Sequence, residues 1–75
     1  MTKQLSLEHA QELYNKSMVI RGALEDFMEY LDTNYDELKD TQLLKLLDTW
    51  QKCEKLDDRM FEFEIRIECI CPQVK

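Results

Sequence analysis

Small and apolar residues recur at seven-residue intervals along the first half of this chain. One row is Ala10, Ser17, Leu24 and Leu31; a second is Leu13, Ile20 and Phe27. Together they make a narrow stripe of the bundle or coiled-coil type, flanked by Tyr14 and Met28. Ser6 is a good N-cap, and Glu8 puts an anion in the first turn, where the helix dipole favours one. Glu12–Lys16 and Arg21–Glu25 are spaced as i,i+4 surface pairs. Gly22 is a poor helix residue, and its presence suggests a close helix contact or a slight bend. The pattern predicts a first helix over residues 7–33. It weakens at Asp32-Thr33-Asn34, three residues that favour caps and turns. An acidic turn over 34–40 follows, with one helical turn from Tyr35 to Lys39, and Asp40 or Thr41 reads as the cap of a second long helix.

That second helix is predicted over residues 41–70. It opens with Leu43, Leu44, Leu46, Leu47 and Trp50, an arc broader than one neighbouring helix can bury. Leu46, Cys53, Met60 and Ile67 then repeat every seven residues, with Leu56, Phe63 and Ile70 beside them. A competing signal runs through the stretch MFEFEIRIECICP (60–72). Its odd positions are apolar and its first even positions charged, as in a half-buried strand. A strand needs backbone partners, and no second segment of the chain has a matching pattern. A helix needs none, and Glu62–Arg66 would support it. The helical reading leaves apolar residues on two opposite sides, Phe61 and Ile65 on one and Phe63, Ile67 and Ile70 on the other. One side packs on the first helix; the other requires a partner.

The expected fold is therefore all-α: an antiparallel two-helix hairpin in a single small domain, 1–75. At 1.5 Å per residue the helices are roughly 40 and 45 Å long, a good match. One Gly and one Pro in 75 residues argue against a β-rich alternative, which needs many turns. Chains of this size bury little and commonly need reinforcement. The expected remedy is a homodimer forming a four-helix bundle.

The net charge of −6 is concentrated. Residues 25–40 carry Glu25, Asp26, Glu29, Asp32, Asp36, Glu37 and Asp40 against Lys39 alone, a net of −6. An acidic chain repels nucleic-acid phosphates, so nucleic acid is a disfavoured partner. No apolar run reaches the length of a membrane span, and no leader pattern opens the chain, so the expected setting is cytoplasmic, with reduced thiols and no membrane.

Candidate chemistry is sparse. His9 is the only histidine, and no nucleophile motif accompanies it, so the chain reads as non-enzymatic, without catalytic residues or cofactor. Cys69-Ile70-Cys71 could share a soft metal, but a closed zinc site wants four ligands and one chain offers only Cys53 and His9 besides. No metal ligands are assigned, and thiol or metal binding is kept as an alternative function. Asp32, Asn34 and Asp36 match the start of a calcium loop, but Glu37 and Leu43 stand where the turn Gly and the bidentate Glu are required. The acidic residues are more informative. Glu25, Asp26, Glu29 and Asp32 lie toward the end of the first helix, where the dipole prefers cations.

The hairpin plan, the opening Met1-Thr2-Lys3-Gln4 and the Asp36-Glu37-Leu38 turn resemble the Rop family of plasmid RNA-binding hairpins. The other matches are scattered and this chain is longer. The resemblance implies a dimer, and as an alternative a Rop-like regulator of RNA or DNA. Lys45, Lys52, Lys55 and Arg59 recur along the second helix as that alternative needs, but Asp48, Glu54, Asp57 and Asp58 are interleaved with them.

The expected function is a small acidic protein-interaction module acting as an adaptor, chaperone or inhibitor. Its partner would be a protein with a basic or apolar surface. The expected interface residues are Phe61, Phe63, Ile65, Ile67, Leu44 and Trp50. The expected acidic patch is Glu25, Asp26, Glu29, Asp32 and Asp36, which would steer a basic partner.

Overall fold

The computed structural model describes residues 4–74. Two long helices pack against each other: α1, Leu7–Thr33, and α3, Leu46–Ile70, with the single turn α2, Tyr35–Leu38, between them. A short 3-10 turn, Pro72–Val74, follows α3. No strand occurs among the described residues, so the stretch 60–70 is helical despite its alternation. The pair is a thin slab of 53 × 23 × 15 Å. Met1, Thr2 and Lys3, part of the Rop resemblance, lie outside the described residues.

Local chemistry explains the ends of α1. The Ser6 side chain accepts a hydrogen bond from the His9 amide, and at the far end the Asn34 amide donates to the carbonyls of Tyr30 and Asp32. The start of the second long helix differs from expectation. It begins at Leu46 rather than 41, and neither Asp40 nor Thr41 caps it. The Thr41 hydroxyl instead donates to the Leu38 carbonyl at 2.7 Å, closing the end of α2. Lys45 stands at the N-cap with φ 63°, a left-handed conformation that breaks the helical path. Leu43 and Leu44 thus lie in the connection, and Leu44 is 83% exposed.

The seam between α1 and α3 follows a strict 4-3 spacing. On α1 the seam positions, all buried or half-buried, are Ala10, Tyr14, Ser17, Arg21, Leu24, Met28 and Leu31, with Gln11 half-buried beside them. On α3 they are Leu46, Trp50, Cys53, Asp57, Met60, Glu64 and Ile67, with Glu68 half-buried beside them. Among the described apolar residues, full burial is confined to Ala10, Ile67, Cys71 and Val74, with Leu5 and Tyr14 packed against them. All of these lie where the two chain ends meet. The middle of the seam is polar.

Gly22 does not mark a close helix contact. A Cβ added there meets nothing within 4 Å, and its φ is an ordinary helical one. Replacing Gly22 with Ala is therefore expected to stabilise the protein by about 0.5–1 kcal/mol, read as a raised denaturant midpoint. A lowered midpoint would mean that another molecule packs closely on this position.

Candidate functional site

Four polar side chains occupy the centre of the seam. Glu64 is 4% exposed and Ser17 2%. The Ser17 hydroxyl donates to Glu64 Oε2 at 2.8 Å, and Arg21 Nη1 donates to Glu64 Oε1 at 2.8 Å. Arg21 Nε also reaches Asp57 Oδ1 at 3.3 Å, and its guanidinium lies 4.7 Å from the centre of the Phe61 ring. Burial opposes the charge on Arg21. The hydrogen bond and charge of Glu64, aided by Asp57, outweigh that and raise its pKa, so it stays charged. Every buried side-chain nitrogen and oxygen among the described residues has a hydrogen-bond partner. Such a cluster ties the two helices in one register.

A second polar tie lies one turn away. The Tyr14 hydroxyl donates to Glu68 Oε1 at 2.6 Å. That hydrogen bond, then burial and the nearby carboxylates, raise the phenol's pKa above its ordinary 10.0. A raised folded-state pKa contributes stability that is fully present below the unfolded value and lost as pH rises through the folded one. Tyr14→Phe is thus expected to lower stability at neutral pH, and the gap from the parent to close above about pH 10. Paired denaturant melts across pH 8–11 measure this; a gap independent of pH would show that the bond contributes nothing.

The two apolar rows that do not enter the seam share one side of the hairpin. Leu13, Ile20 and Phe27 each precede a seam residue of α1 by one position. Leu56 and Phe63 do the same on α3, and Ile70 precedes the buried Cys71 at its C-cap. In an antiparallel pair that common offset turns both rows the same way. At 100° per residue each row sits about 70° from the centre of its seam. All six are 42–62% exposed. Beside them, on the outer edge of α3, run Lys45, Lys52, Arg59 and Arg66. Lys52 is tied to Asp48 at 3.0 Å.

The opposite side carries residues that follow seam positions. On α1 they are Met18, Glu25 and Asp32; on α3 they alternate between apolar and acidic as Leu47, Glu54, Phe61 and Glu68. At the turn end this side opens into a cavity of about 300 Å³, walled by Leu31, Leu46, Leu47 and Trp50, with Asp32, Tyr35 and Asp36 at its mouth.

The expected interface residues therefore divide. Phe63 belongs to the apolar side, whereas Phe61 lies on the acidic side under Arg21. Ile65 is exposed beyond Phe61, and Ile67, 3% exposed, is spent inside the seam. Trp50 lines the cavity, and Leu44 projects from the connection. The expected acidic patch divides too. Glu25, Glu29 and Asp32 lie toward the cavity side, Asp26 turns to the outer back of α1, and Asp36 sits on α2. Cys69 is exposed and Cys71 buried, its thiol 3.8 Å from the Leu5 carbonyl oxygen. No group of three or more His, Cys, Asp or Glu side chains among the described residues is placed to hold a metal ion. No described helix is long and apolar enough to cross a membrane.

Sequence reasoning did not anticipate Ser17, Arg21, Asp57 and Glu64 as a unit. The signal was present in the 4-3 spacing, which places all four on the inner positions of their helices. No family model, curated protein or solved structure matches the chain.

Proposed function

We propose that the protein is a non-enzymatic interaction module. It pairs with a second copy through its apolar side and binds a protein partner with its acidic side. The observation that supports this is the placement of Leu13, Ile20, Phe27, Leu56, Phe63 and Ile70. In a four-helix bundle each helix meets two neighbours on adjacent faces, and the seam and the apolar row of each helix here lie on adjacent faces about 70° apart. The six side chains expose on the order of 100 Å² each. Two copies would bury roughly 1,200 Å², the lower bound for specific association.

A second copy fits better than an occasional visitor, because the hairpin alone buries too little. Among the described residues only Ala10, Ile67, Cys71 and Val74 are fully buried apolar residues, with half-buried ones along the seam, a small core for a chain of this size; this supports a cover that is present whenever the chain is folded. Charge favours one arrangement. Setting α3 of one copy beside α1 of the other keeps the edges with Lys45, Lys52, Arg59 and Arg66 apart; setting α3 beside α3 brings them together. Light scattering at tens of micromolar chain tests the pairing. A mass of twice the 9.1 kDa chain is expected; a stable folded monomer overturns it.

A further inference from the structure

We infer that the cavity at the turn end is the docking point for a basic amphipathic segment of a partner protein, with an apolar side chain entering the cavity and Lys or Arg side chains meeting its rim. This rests on the reading of the protein as an interaction module and adds where the partner sits and what chemistry it carries.

Three independent features converge there. The first is shape and lining. About 300 Å³ is the lower end of the range for ligand sites and suits one or two side chains rather than a cofactor. The wall of Leu31, Leu46, Leu47 and Trp50 calls for an apolar anchor, and the aromatic rings of Trp50 and Tyr35 are part of the lining. The second is charge. Asp32 and Asp36 stand at the mouth, and only Asp36 is tied to a cation, Lys39 at 3.5 Å on the exposed surface. Along the same side Glu25 and Glu54 continue the negative track from the two helices. The last turn of α1 carries no basic residue, so the negative end of its dipole adds to the field rather than being offset. Asp48 already sits in the first turn of α3, so the opposing positive end is compensated. The third is access. Leu47 and Asp32 follow their seam positions, whereas the rows covered in a bundle precede theirs. A second copy on the apolar side therefore leaves the cavity open.

Trp50 is the chain's single tryptophan, which makes the cavity directly readable. The probe is a helical peptide that repeats Leu and Lys with one apolar face, and its control is the same peptide with Glu for Lys. The basic peptide is expected to shift Trp50 emission saturably, and Asp32→Asn with Asp36→Asn to weaken it roughly fivefold. Leu47→Ser is expected to abolish the shift while leaving helicity and mass unchanged. An equal response to the acidic peptide, or one indifferent to the two Asp substitutions, overturns the inference. So does a Trp50 emission change on Leu44→Ser in protein without peptide, because the exposed Leu44 of a second copy would then be the occupant. Light scattering on the same samples keeps this outcome apart from failure of the pairing.

Discussion

Arg21→Ala is expected to destabilise the protein by about 3–5 kcal/mol, far more than a surface arginine warrants. The substitution leaves Glu64 almost wholly buried with only the Ser17 hydroxyl as a donor. A carboxylate removed from water needs a charge partner, and Arg21 supplies it at 2.8 Å. The cost comes from the stranded charge rather than from the lost attraction. Removing the whole cluster should therefore behave differently. Arg21→Met with Asp57→Leu and Glu64→Leu is expected to equal the parent or exceed it by about 1–4 kcal/mol. Urea unfolding at one fixed chain concentration compares the set. An Arg21→Ala midpoint matching that of Lys55→Ala would show the pair to be dispensable. The apolar variant should also lose uniqueness, because slipping α3 by seven residues would no longer misplace a charge. A single set of amide resonances in that variant would mean that the turn, not the cluster, sets the register.

Phe63→Glu is the second large effect. Its ring is half exposed on one chain, so in an isolated hairpin a polar replacement would cost little. Under a second copy the ring is buried, and losing it costs about 3–5 kcal/mol before the added charge is counted. The expected result is dissociation together with loss of helicity, since the hairpin's own core is too small to persist. Dilution of the unaltered chain should show the same coupling, with helicity falling as copies separate. Val19→Glu, exposed on the back of α1, is the control and should change neither mass nor circular dichroism. If Phe63→Glu stays folded at the parent's mass, the apolar side is not an interface.

The helices, the Ser6 cap and the hairpin plan were legible because they are local. Ser6 caps its helix through atoms three residues away. The heptad rows outweigh the alternation in MFEFEIRIECICP because a helix satisfies its own backbone. Half of the seam was legible: Ala10, Ser17, Leu24 and Leu31, and Leu46, Cys53, Met60 and Ile67, lie in it as their heptad rows predict, but the second row of each helix was not. Leu13, Ile20 and Phe27 are more hydrophobic than the Tyr14 and Arg21 positions that went inside, and a rule that buries the most apolar stripe selects wrongly. What decided it was mutual: Arg21 is tolerable inside only because Asp57 and Glu64 arrive from 36 and 43 residues away. The 4-3 spacing places all four on inner positions, but it does not say which of them pair across 36 to 47 residues. The late start of α3 was hidden for a similar reason. Thr41 carries a cap's chemistry but uses it on the helix behind it, and only the backbone at Lys45 shows where the path turns.

The two ends of the described chain are tied at one pole. The Cys71 thiol reaches the Leu5 carbonyl, and Gln11 Nε2 donates to the Val74 carbonyl at 3.4 Å. The cavity with Trp50 is at the other pole of a body 53 Å long. Cargo attached to either end would therefore leave from the same side, held away from the cavity by a stiff arm.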